Sequence, residues 1–137
     1  MQLSIAASMA GLPDFLIYLA AALVLTLIYA VVYGLVTAHN ELRLIRANNT
    51  AAAIAFSGSL LGFVIPLASA IANSVSLGDC LVWGVVALVV QVVAYFVLRL
   101  GIDRLSARIA GGEIAAGLWL GAGSLAAGVL NAACMTY

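Results

Sequence analysis

Four apolar runs, at residues 15–36, 51–75, 81–98 and 114–135, contain no Asp, Glu, Lys or Arg. Runs of this length cross the ~30 Å hydrocarbon core of a bilayer as helices. The pattern therefore predicts an all-α membrane protein with four spans. Polar residues mark the run boundaries. Pro13 and Asp14 stand before the first run, and Asn48, Asn49 and Thr50 supply N-caps for the second. Asp79 is placed to cap the third, and Gly111-Gly112 with Glu113 opens the fourth. Within the first run, Tyr18, Tyr29 and Tyr33 are read as members of an interfacial aromatic belt. The connection 37–50 is amphipathic, with no breaker before Asn48, so it either lies in the interface or prolongs the first helix.

Composition sharpens this picture. Of 137 residues, 66% are hydrophobic and 7% charged, with a mean hydropathy of +1.25. A soluble domain carries about 25% charged residues, so ten charges cannot cover one of this length. Net charge is zero, which leaves no field to gather nucleic acid. The first twelve residues lack Lys and Arg, so the first run reads as a retained span rather than a secretory signal.

The five arginines fall in or beside two connections only: Arg43 and Arg46 in the first, Arg99, Arg104 and Arg108 in the third. The positive-inside rule places both connections in the cytoplasm and both termini in the periplasm of a bacterial inner membrane. The same arginines make the cytoplasmic side a candidate docking face, with Arg43, Arg46, Arg104 and Arg108 at its centre.

The chain also repeats itself. At an offset of 65, Asp14 meets Asp79 and Arg43 meets Arg108, and at 64 Ala51-Ala52 meets Ala115-Ala116. This predicts two tandem helix hairpins, residues 1–75 and 76–137, in the same orientation as a parallel repeat. In the second and fourth spans, Ala51, Ala55, Gly58 and Gly62 share their spacing with Gly117, Gly121, Ser124 and Gly128. Small residues at such intervals let helix backbones approach, within one chain or between copies in a homo-oligomer. Packing within the chain is the expectation for most of them.

Candidate chemistry is sparse. The spans hold Ser57, Ser59, Asn73, Gln91 and Asn131, with Pro66 interrupting the second helix. These could line a polar pathway around a kink, or simply bond helix to helix. None is ionisable, whereas proton relays and ion-coupled carriers depend on intramembrane charge. His39 stands alone at a membrane boundary, and Cys80 and Cys134 form neither a metal motif nor a disulfide framework. No nucleophile–base pair, metal cluster or phosphate loop appears, so neither enzyme activity nor a cofactor or metal is expected.

The strings HNELRLIRANNTAAAIAFSGSLLGFVIPLASA and NAACM resemble the bacterial inner-membrane family of the YjfL type, domain of unknown function 350, across essentially the whole chain. The resemblance implies tandem two-helix repeats and an association with membrane-stress operons. It brings no catalytic residues to carry over. The expected role is a self-assembling or partner-binding membrane module, in contact with lipid and with a membrane-stress protein as a candidate partner. The alternative is a channel or carrier for an ion or small neutral solute.

Overall fold

In lipid the backbone has no water to bond, so each apolar run satisfies its own N–H and C=O groups as a helix. The computed structural model describes residues 2–37 and 40–135, and its described residues form seven helices. They are α1 (Gln2–Ala10), α2 (Leu12–Val36), α3 (Glu41–Arg46), α4 (Thr50–Asn73), α5 (Leu77–Gly101), α6 (Leu105–Ala110) and α7 (Ile114–Cys134). Four stretches are long and apolar enough to cross a membrane: Ser4–Val36, Thr50–Asn73, Leu77–Gly101 and Ile114–Cys134. The first is longer than expected. Gly11 keeps a right-handed helical conformation, so α1 runs almost directly into α2.

Several boundaries depart from the sequence expectation, each for a local reason. The first helix stops at Val36, where its apolar run ends, and is not prolonged to Asn48. The Thr37 hydroxyl and N–H both bond the Tyr33 carbonyl, at 2.8 and 2.9 Å, and the backbone then turns extended. A separate helix, α3, restarts behind Asn40, whose side chain accepts from the Arg43 N–H. His39 lies outside the described residues. At the third span the cap is Ser76, not Asp79. Ser76 Oγ accepts from the Asp79 N–H at 3.1 Å, and Asp79 Oδ2 accepts from the Val75 N–H at 3.1 Å. This variant of the capping box, with Asp79 reaching back to the residue before the cap, starts α5 at Leu77, about one turn before the apolar run. Tyr29 and Tyr33 are also not belt residues. Both are buried, because Leu25, Tyr29 and Tyr33 recur every four residues on the face of α2 that meets the bundle.

The core is the pair α4 and α7. They run side by side in the same sense: Ala51 lies against Gly117, Gly58 against Gly121, and Gly62 against Ser124 and Gly128. The backbones touch. A Cβ on Gly58 would come within 2.3 Å of the Gly121 carbonyl oxygen, and one on Gly128 within 2.0 Å of the Gly62 oxygen. That Gly62 carbonyl is the one deprived of its helical donor, since Pro66 has no N–H. The Gly128 backbone packs on it, a geometry suited to a Cα–H···O contact. Helix α5 lies across one side of this pair, where Trp119 Nε1 donates to the Leu98 carbonyl at 2.8 Å. Helix α2 packs on α4 and α5 beyond it.

At the other end, α3 and α6 lie beside the starts of α4 and α7. Asn49 joins them: its Oδ1 caps α4 through the Ala52 N–H at 3.0 Å, and its Nδ2 donates to the Ile109 and Ala110 carbonyls at 3.2 and 3.1 Å. The turns ahead of α4 and α7 match bond for bond. Asn49 N–H reaches back to Leu44 and Glu113 N–H to Arg108, with Asn48 (φ 64°) and Gly112 (φ 87°) in left-handed conformations between. Such a helix stop selects Gly or Asn, the residues that bear positive φ at least cost.

Gly128→Ala should therefore force α4 and α7 apart and destabilise the fold by about 1–3 kcal/mol. Gly34→Ala is the control, because the nearest atom to a Cβ there is Glu41 Oε2 at 3.8 Å. Denaturant titration in detergent micelles, followed by circular dichroism, should separate the two. Equal stability of both variants would contradict the seam.

Candidate functional site

All four spans contribute to one buried polar junction. Helix α2 supplies Tyr29 and Tyr33, α4 supplies Ser59, α5 supplies Gln91 and α7 supplies Ser124. Gln91 and Ser59 are each 1% exposed. Ser59 Oγ donates to Ser124 Oγ at 3.3 Å, and Gln91 Nε2 donates to the Ser124 carbonyl oxygen at 3.2 Å. Ser124 is thus held from both sides, by α4 through its hydroxyl and by α5 through its backbone. Gly62 makes room for Gln91, since a Cβ there would stand 3.0 Å from Gln91 Oε1.

The aromatic residues close this junction on the α2 side. Tyr29 stacks on Phe63 with ring centroids 4.7 Å apart, and Tyr33 meets Phe56 and Tyr95 edge-on at 5.6 and 6.3 Å. Tyr95 in turn shares a hydrogen bond with Ser106 on α6 at 3.3 Å. Among the described residues, three buried side-chain polar atoms have no hydrogen-bond partner: Tyr33 OH, Gln91 Oε1 and Asn131 Nδ2. An unpaired buried acceptor or donor costs roughly 1–3 kcal/mol. The five side chains of the junction are neutral, and the buried carboxylate of Glu41 lies within electrostatic reach of Tyr33. The junction's hydroxyl and amide groups can exchange hydrogen bonds and set helix register, but they supply no charge for acid–base work.

The residues read from the sequence as a polar pathway do not share one space. Ser59 and Gln91 enter the junction, and Pro66 is buried in α4 beside Leu67. Ser57 is exposed on the opposite face of α4. Asn73 turns back on its own helix, donating to the Ser69 carbonyl at 2.9 Å, and is exposed. Asn131 is half-buried on α7, one helix away. Thr26 likewise bonds its own helix, through the Ala22 carbonyl at 2.8 Å. The six residues read as helix-packing positions, Gly58, Gly62, Gly117, Gly121, Ser124 and Gly128, all lie at the α4–α7 contact.

The arginines gather at the α3–α6 end. Arg43, Arg46 and Arg104 are exposed, and none meets a carboxylate within salt-bridge reach among the described residues. Arg108 differs. Its Nη2 lies 3.1 Å from Glu113 Oε1, and those hydrogen bonds, then the carboxylate charge, push its guanidinium further above its ordinary range. Cys80 is buried and Cys134 exposed, and both thiols are free. No cluster of three His, Cys, Asp or Glu side chains occurs among the described residues.

Sequence reasoning found Ser59, Gln91 and Ser124 as isolated polar positions but missed the tyrosines that complete the junction. The four-residue recurrence of Leu25, Tyr29 and Tyr33 was the available signal. Buried Glu41, which shares a hydrogen bond with Thr37, gave none.

Comparison with known proteins places the chain. It is 48% identical over 113 residues to the UPF0719 inner membrane protein YjfL of Escherichia coli strain K12, covering 82% of this chain and 86% of that one. The protein of the same name from Escherichia coli O157:H7 matches equally, at 48% identity over the same length. No solved structure matches. A family model described as a domain of unknown function, DUF350, matches residues 7–135, and the chain, with its four helices long and apolar enough to cross a membrane, belongs to the DUF350 family.

Proposed function

We propose that this chain is a non-enzymatic inner-membrane module that assembles with copies of itself through the outer face of the α4–α7 pair. That uncovered face is the observation carrying the proposal. Helix α5 closes one side of the pair, while the other is an open groove of about 390 Å³ between Ala53, Ile54 and Ser57 on α4 and Leu118, Ala122 and Leu125 on α7. Shallow, small-residue surfaces of this kind favour helix association in lipid, where van der Waals packing must supply the driving force. A membrane-stress protein, the partner that the resemblance implies, is the candidate occupant from outside the family.

The module reads as a duplicated hairpin, residues 1–75 and 76–137, with the halves parallel. In support, α3 (Glu41–Arg46) and α6 (Leu105–Ala110) are offset by 64 residues, as are the left-handed Asn48 and Gly112. Sidedness follows from the arginines: the α3 and α6 connections face the cytoplasm and both termini face the periplasm. Arg43, Arg46, Arg104 and Arg108 then form the cytoplasmic docking face. Inner-membrane residence agrees with the name of the Escherichia coli relative.

A transport reading has one observation in its favour, the unpartnered Tyr33 OH, Gln91 Oε1 and Asn131 Nδ2 inside the bundle. Against it, the polar side chains are divided between helix contacts and opposite faces rather than lined along a passage. Passages through membranes normally use rings of carbonyls or charges.

In a Cys134→Ser background, Ser57→Cys should give a cross-linked dimer when native membranes are oxidised, and Leu16→Cys on α2 should give much less. A monomer at all positions, with monomeric photobleaching steps, would rule out self-assembly through this face. Liposomes containing the folded protein should be no leakier to small ions and neutral solutes than protein-free ones. A solute flux that Gln91→Leu or Asn131→Leu abolishes would instead establish transport.

A further inference from the structure

We propose that the cleft between α3 and α6 binds the headgroup of an anionic phospholipid. The cleft has a volume of about 490 Å³. It is lined by Asn40, Arg43, Leu44 and Ala47 on the α3 side and by Ser106, Ala107 and Ala110 on the α6 side. The Arg43 guanidinium is exposed and has no partner among the described residues. On the far side of α6 a second cleft, of about 420 Å³, shares Ser106 and Ala107 with the first and adds Arg99 and Arg104, beside Asp103. Arg43 in one cleft and Arg99 and Arg104 in the other thus flank the short helix α6.

The apolar lining decides which anion fits. A site for free phosphate is built from donors on every side, whereas this one sets a single guanidinium, an amide and a hydroxyl among four aliphatic side chains. That is the profile of a lipid, with phosphate at the arginine and glycerol and first methylenes against Leu44 and Ala107. The depth agrees. Leu100 and Leu42, 85% and 59% exposed, present apolar side chains on the outside of the bundle near the arginines, as residues facing the start of the acyl chains do. Basic clefts beside spanning helices are suited to such headgroups, each arginine near an anionic surface contributing roughly 1 kcal/mol, or about fivefold in affinity. This site is independent of the assembly face, which lies on the outer side of α4 and α7.

The test uses the full chain, purified in neutral detergent and titrated with phosphatidylglycerol or with phosphatidylcholine of the same acyl chains, bound lipid being counted by native mass spectrometry. Phosphatidylglycerol should bind in preference. Arg43→Gln should weaken it about fivefold and Arg43→Gln with Arg104→Gln further still. Arg108→Gln should matter less, because that guanidinium already serves Glu113. Ala107→Phe fills the cleft without altering charge and should also lower the affinity, with circular dichroism confirming the fold of each variant. Equal retention of the two lipids, or unchanged binding in Arg43→Gln, overturns the proposal. Full binding in Ala107→Phe overturns the cleft in favour of diffuse attraction, and displacement of the lipid by millimolar inorganic phosphate overturns the lipid in favour of a free anion.

Discussion

The approach of two backbones, α4 and α7, is the constraint on which the rest of this bundle depends. In lipid there is no hydrophobic gain in joining two apolar helices, so association rests on packing and polar contacts. Glycine at Gly58, Gly121 and Gly128 brings backbone atoms of the pair into contact over several turns. The seam also solves a local problem. Pro66 leaves the Gly62 carbonyl without its helical donor, and that carbonyl is covered by the Gly128 backbone. A proline that would weaken an isolated helix is thereby housed by its neighbour.

Everything else is set by where that pair leaves room. Gln91 can reach the Ser124 carbonyl because Gly62 has no side chain to exclude it. Tyr29 and Tyr33 then lie on the α4–α5 side, and α2 packs through them. Interhelical hydrogen bonds in membranes average only about 0.6 kcal/mol each. The junction therefore contributes register and specificity more than stability. Its neutrality separates it from the charged centres of pumps and ion-coupled carriers. A seam closed on one side by α5 and open on the other is what makes self-assembly the economical reading of the fold.

Much of this was legible in the sequence, because membrane insertion constrains it strongly. Charge-free runs gave the four spans, and the spacing of small residues gave the faces of α4 and α7 that meet. Helix ends were less legible. Thr37 stops α2 through a hydroxyl bond to Tyr33, a competition that hydropathy does not register. Ser76 rather than Asp79 caps α5, since a capping box reads the same from either member until the geometry is known. The tyrosines misled for a different reason. Tyrosine suits both an interface and a buried contact, and only its recurrence with Leu25 separates the two. The polar residues were found but not their grouping, because placing Ser59 by Ser124 and Ser57 on the opposite face requires knowing which sides of α4 are covered.

The central claim is that α4 and α7 of one chain lie together with Ser59 beside Ser124, and a double substitution tests it most directly. Ser59→Cys with Ser124→Cys, in a chain whose native cysteines are replaced by serine, should form an intramolecular disulfide when membranes are oxidised. Ser59 Oγ and Ser124 Oγ are 3.3 Å apart in the structure. The account predicts efficient cross-linking within the monomer, with neither single variant linking to itself at that depth. Failure to cross-link, or cross-linking only between chains, would contradict it.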